Sequence, residues 1–111
     1  MTRHSDKVYL RHMLDHVRAA MRLAANRSRA DLDTDEALRY ALIHLVCITG
    51  EAAMHVSEPE RRLHPEIPWS AAKGMRNWLV HGYDVVDLGV VWDTVTSDFP
   101  SLAGILERLV E

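Results

Sequence analysis

The 111-residue chain is one domain's worth; with 48% hydrophobic and 26% charged residues it falls in the ordinary globular range, which excludes a disordered chain and a fibre. A formal net charge of −3 argues against a domain that holds nucleic acid by bulk charge, and one cysteine, Cys47, excludes an intramolecular disulfide and a cysteine-rich zinc site. No apolar run approaches the roughly 18 residues of a membrane helix, and MTRHSDKVYL lacks an apolar signal stretch, so the expected location is the cytoplasm, with no membrane partner.

Five helical segments and no strand are expected, all within a single domain spanning residues 1–111. The first covers roughly 5–27: Tyr9, Leu10, Met13, Leu14, Val17, Met21 and Ala24 recur at three and four, one apolar stripe. Arg11, Arg18, Arg22 and Arg29 fall on its opposite side, an arginine stripe that reads either as a solvated face or as a track for RNA or an acidic partner. His12 and His16, one turn apart, find no third ligand at helical spacing and are expected to be surface histidines.

The second helix is predicted to begin near Asp33 as N-cap, with Glu36 completing a capping box. Leu38, Ala41, Leu42, Leu45, Ile48, Thr49, Ala52 and Val56 form its apolar face, Cys47 is a core residue, and the helix stops before Pro59. Gly50 in its interior costs about 1 kcal/mol against alanine, which the close approach of another helix would justify. Glu51 beside it fits a supporting ion pair with an arginine.

Residues 57–68 (SEPERRLHPEIP) read as a connecting loop, three prolines in twelve positions. Pro68 then opens a third helix that turns Trp69, Ala72, Met75 and Leu79 inward and ends at Gly82. A fourth helix is expected over Val86 to Thr96 with Val90, Val91 and Val95 buried, and a short fifth from Asp98, an N-cap, to the C-terminus. Long helices on short loops predict an all-α, up-down bundle of four main helices plus a short C-terminal one. Trp69, Trp78 and Trp92 are expected as core or interface anchors.

Charge is segregated along the chain: seven Lys/Arg against two Asp/Glu in residues 1–30, one against seven in 31–60, four against one in 61–82, and one against six in 83–111. The basic blocks either build a surface for a phosphate backbone or complement the acidic ones on folding.

The stretch that carries chemistry is Arg76-Asn77-Trp78-Leu79-Val80-His81-Gly82-Tyr83. Histidine exchanges protons near neutral pH, and arginine offers fork-shaped donors to phosphate oxygens. RNA supplies its own nucleophile, the 2′-hydroxyl, so an Arg/His pair suits RNA cleavage without a metal or other cofactor. Taken bare, an R-x4-H spacing is a weak signal, better explained by a satisfied core histidine and a surface arginine. The two residues are five apart, about 140° around an ideal helix, and converge only through arginine's reach, a loosened last turn, or a second subunit.

The flanks change that weighing. The run Gly50-Glu51-Ala52-Ala53, Ile67-Pro68-Trp69, Met75 to Tyr83, Val86-Asp87, Val91-Trp92-Asp93 and Asp98-Phe99-Pro100-Ser101-Leu102 resembles the HepT-like toxins of the HEPN superfamily, from about Tyr9 to the C-terminus. The resemblance implies a HEPN-like bundle, a homodimer whose two R-x4-H motifs meet in a cleft, and a metal-independent endoribonuclease acting on RNA. It implies as partner an MNT-type nucleotidyltransferase antitoxin that silences the toxin by adenylylating the tyrosine of H-x-Y, here Tyr83. Arg76 would then stabilise the phosphate and His81 act as general acid/base. Asn77 would orient His81 or the phosphate, or serve only as a surface or dimer-contact residue. Tyr83 would take the AMP, or be a core aromatic with a wet hydroxyl. A non-catalytic HEPN subunit that merely binds the nucleotidyltransferase, and a purely structural helical dimer, are the alternatives. The intact Arg76/His81 pair favours the enzyme over the first, and the second leaves the polar cluster at residues 76–83 without a purpose.

Overall fold

A computed structural model of the chain describes residues 3–81 and 86–111, with the backbone alone for 78–81. Among the described residues there is no strand, and the all-α expectation holds. These residues hold seven α-helices in order: α1 (His4–Ala24), α2 (Asp31–Thr34), α3 (Glu36–His55), α4 (Glu58–Leu63), α5 (Trp69–His81), α6 (Leu88–Asp93) and α7 (Phe99–Val110).

Helix α3 is the centre of the bundle, packed by α1 and by α5, while α7 closes on α1. By length and composition alone α3 passes for a membrane span, with a mean hydropathy of 1.3, but half of that window is buried by its neighbours. Central placement also explains why its buried surface is wider than the predicted face. Ile43, Val46, Cys47, Gly50 and Ala53 are buried along with Leu38, Leu42, Thr49 and Ala52, whereas Ala41, Leu45 and Ile48 are only half-buried. Leu10, Met13, Leu14, Val17, Ala20 and Ala24 of α1 face it, and Phe99, Leu102 and Leu106 of α7 complete the core.

Several element boundaries differ from the sequence expectation, each for a local reason. Helix α1 ends at Ala24, not near 27, because Asn26 adopts a left-handed backbone (φ 62°) that a helix cannot propagate. The cap of α3 is Asp35 rather than Asp33: the Asp35 carboxylate accepts the Leu38 N–H at 3.0 Å, and Asp33 lies inside the one-turn α2. The segment 57–68 is not all loop. Helix α3 ends at His55, before Pro59 as expected, but Pro59 itself sits in the first turn of α4, where its missing N–H is harmless.

The fourth and fifth helices are in fact continuous. Asp87, not Val86, caps α6 by accepting from the Gly89 and Val90 amides. A π turn over Thr94–Asp98 then carries the chain straight into α7. Asp98 is helical and makes no side-chain cap bond. Pro100, lacking an N–H, cannot close a regular turn across this point, and the wider turn absorbs the defect. Val90 on α6, expected to be buried, is 47% exposed, while Val91 and Val95 are buried as expected.

The arginine stripe of α1 is largely answered within the chain. Arg18 binds Glu107 at 3.0 Å and Glu111 at 2.7 Å, Arg11 reaches Asp15 and Glu111, and Arg29 pairs with Asp33. The Glu107/Glu111 hydrogen bonds hold the Arg18 guanidinium well above its ordinary pKa. Here the complementing-blocks reading describes the surface, and no open RNA track along α1 is left by Arg11 and Arg18.

Candidate active site on helix α5

Two contacts place α5. At its start the Trp69 indole N–H donates to the Arg61 and His64 carbonyls (3.0 and 2.9 Å), tying the open C-terminal end of α4 to the first turn of α5. In its middle α5 crosses α3 at Gly50. A Cβ at residue 50 would lie 2.6 Å from the Ala72 carbonyl oxygen, 2.8 Å from the Met75 Cβ and 2.9 Å from the Arg76 nitrogen. Only glycine permits this approach, which accounts for its place inside a helix.

That crossing sets Arg76 directly against the residue after the glycine. Arg76 Nε lies 3.9 Å from Glu51 Oε2, both side chains partly exposed (37% and 45%). The supporting ion pair expected of Glu51 is therefore present, as a loose one. Glu51 is shared: its other oxygen, Oε1, lies 3.1 Å from His55 Nε2, one turn along α3. His55 carries no signal in the sequence beyond this i,i+4 spacing and was not expected at the site.

Asn77 follows Arg76 on α5 and is half-buried. His81 is the last residue of α5; since the helix is regular through it, Arg76 and His81 hold register positions about 140° apart. The His81 side chain, and with it those of Trp78 and Leu79, lies outside the described residues, as do Gly82 and Tyr83 altogether. The structure thus joins Arg76 to Glu51.

Of the other candidates, His12 is exposed as expected, but His16 is half-buried, and its Nδ1 is enclosed without a hydrogen-bond partner. Burial lowers the His16 pKa, helped by the neighbouring His12 and opposed by Asp15. Among the described residues no three His, Cys, Asp or Glu side chains converge on a metal position. Trp69 and Trp92 are half-buried against the core, in keeping with anchoring roles.

Comparison with known proteins gives this geometry its family. Residues 13–109 match the family model described as "Ribonuclease HepT-like". The chain is 36% identical to the "Probable ribonuclease HepT" of Thermococcus cleftensis, over 95% of this chain and 96% of that one. It is 30% identical, over 95% of its length, to a "Gamma-glutamylcyclotransferase and putative RNase" of Methanocaldococcus jannaschii, of which it spans 47%. A "Putative RNase" of the same organism is 25% identical over 100% of this chain and 92% of the relative. No solved structure matches. An all-helical bundle carrying Arg76 on α5, matched over nearly its whole length, belongs to the HepT-like ribonuclease family.

Proposed function

We propose that this chain is a metal-independent endoribonuclease, the toxin of a toxin–antitoxin pair, acting through Arg76 and His81. The observation that carries the reading is Arg76, set by the Gly50 crossing on the helix that ends in His81, within a ribonuclease family match. In the proposed reaction an imidazole removes the proton of the RNA 2′-hydroxyl, and the oxygen attacks the adjacent phosphorus. The bond from phosphorus to the 5′-oxygen breaks, an imidazolium returns a proton to that oxygen, and the products are a 2′,3′-cyclic phosphate and a 5′-hydroxyl. Arg76 stabilises the charge that builds on the non-bridging oxygens.

The roughly 140° between Arg76 and His81 supports a two-chain site, with a homodimer bringing one motif to the other. Asn77, half-buried beside Arg76, fits an orienting role toward phosphate or imidazole. Control would come from an MNT-type nucleotidyltransferase antitoxin that transfers AMP from ATP to the Tyr83 hydroxyl, releasing pyrophosphate. An added phosphodiester two residues from His81 would fill the cleft and repel the substrate's phosphates.

The test is induced expression of the unmutated chain and of His81→Ala in a host without the partner. Growth arrest with RNA breakdown in the first alone is expected; equal growth of both with intact RNA sinks the toxin reading. Mass spectrometry after co-expression with an MNT-type nucleotidyltransferase should find AMP on Tyr83.

A further inference from the structure

A strip of ring side chains leads away from Arg76 across the seam of α1 and α3. Glu51 makes the first link, lying between Arg76 and His55. The His55 ring stacks on Tyr9, with centroids 4.9 Å apart and planes within 18°. Tyr9 in turn meets the edge of His12 at 6.0 Å and 87°, and His12 stands 6.2 Å from His16. Tyr9 is half-buried against the core, which fixes the base of the stack, whereas 52% of the His55 side chain is exposed.

This arrangement has the parts that single-stranded nucleic acid needs: a guanidinium for the phosphate and, linked to it through Glu51, a backed ring that is half exposed. Glu51 holds the imidazole by its edge through Nε2, and Tyr9 backs it. The 3.9 Å contact of Glu51 with Arg76 is loose enough for a phosphate to take the arginine over, which leaves the carboxylate with His55.

We propose that His55, backed by Tyr9, is a stacking platform for one nucleobase of single-stranded RNA, next to the phosphate bound by Arg76. The proposal rests on the ribonuclease reading of Arg76 and His81. It makes the preferred substrate an unpaired segment, since a base within a duplex has both faces covered by its neighbours.

The experiment uses the full chain carrying His81→Ala, so that RNA stays intact, with a short fluorescein-labelled single-stranded RNA of mixed sequence read by anisotropy. Two further variants separate ring from hydrogen bond: His55→Phe keeps the ring and loses the bond to Glu51, and His55→Gln keeps a polar partner and loses the ring. His55→Gln should weaken binding by roughly five- to one-hundred-fold, and His55→Phe should stay within about threefold of the parent. The same RNA annealed to its complement should bind the three proteins equally. Equal affinity of the Phe and Gln variants for the single strand, whether as tight as the parent or uniformly weaker, overturns the platform. Cleavage of this RNA by the chain with His81 intact is read separately. Cleavage with equal Phe and Gln affinities removes the platform alone, and a parent that binds no RNA together with no cleavage by the chain with His81 intact removes both. Thermal melts by circular dichroism check that each variant is folded.

Discussion

Asp6 shows how one side chain can hold two distant parts of the chain. It is 3% exposed, and its carboxylate accepts the Ser57 N–H at 2.8 Å and the Ser57 hydroxyl at 2.7 Å, pinning the start of α1 to the joint between α3 and α4. Burial alone would raise its pKa, but the Ser57 hydrogen bonds and the charge of Arg3 together outweigh it and leave the carboxyl below its ordinary value. A depressed carboxylate pKa stabilises the fold above the unfolded value of 3.8, and that contribution disappears as pH falls through the folded value. Asp6→Ala should therefore cost about 1–3 kcal/mol near neutral pH, by leaving the Ser57 N–H without its acceptor. Urea denaturation should show the gap between parent and variant closing as the solution is taken below about pH 4. Glu51→Gln is expected to act on substrate capture instead. The pair with Arg76 is half-exposed and contributes little to stability, but an arginine not held in place before the phosphate arrives should lower kcat/KM by roughly ten-fold, with the melting temperature nearly unchanged. The need of Glu51 for an arginine was legible in the sequence, because a carboxylate next to an interior glycine at a helix crossing requires a partner. The Asp6–Ser57 contact was not, since it joins residues 51 apart whose meeting depends on the path of every element between them.

Among the elements, the crossing of α3 and α5 decides where the candidate site lies. Gly50→Ala would drive a methyl against the Ala72 carbonyl oxygen, a backbone atom that cannot turn aside, so α5 must shift as a body. Overpacking of this kind costs about 1–3 kcal/mol. Cleavage should fall further than stability does, because Arg76 moves with the helix, and comparing kcat with the urea midpoint separates the two effects. Trp69→Phe keeps the ring in place and removes the N–H that serves two carbonyls, so a loss of about 1 kcal/mol is expected in the same denaturation measurement. The glycine betrayed itself in the sequence as a poor helix former inside a strong helix, and the partner helix it demanded is the one found. The π turn did not. Pro100 and Asp98 look like the start of a helix whether the preceding turn is open or continuous, and only the backbone of Thr94–Asp98 distinguishes them. Short α4 was hidden for the opposite reason, the three prolines of residues 57–68 reading as loop although Pro59 occupies a first-turn position that tolerates it.

At the scale of the whole molecule, the prediction concerns how many chains make one site. If Arg76 and His81 act across a two-fold interface, mixing Arg76→Ala with His81→Ala should restore cleavage, because the mixed dimer keeps one site with both groups intact. With half of the dimers mixed, and one site in two intact, the mixture should reach about a quarter of the parental rate. No recovery, with mixed dimers demonstrated by mass, would place both groups in one chain. The bundle itself was readable from periodicity, because the apolar stripe of α1 and the apolar length of α3 leave few other ways to bury them.

The closure of α7 on α1 carries a further consequence, for how the molecule meets its substrate. Arg11 and Arg18 are committed to Glu107 and Glu111, and the chain as a whole is acidic, at −3. On the proposed reading, a chain of this net charge is expected to cast only a weak long-range field over polyanions and to slide little along RNA. Its encounters should proceed at an ordinary diffusive rate, with only a shallow dependence on ionic strength. On that reading, discrimination would fall to Arg76 and the His55 ring beside it, and an RNA that fits neither would be released quickly.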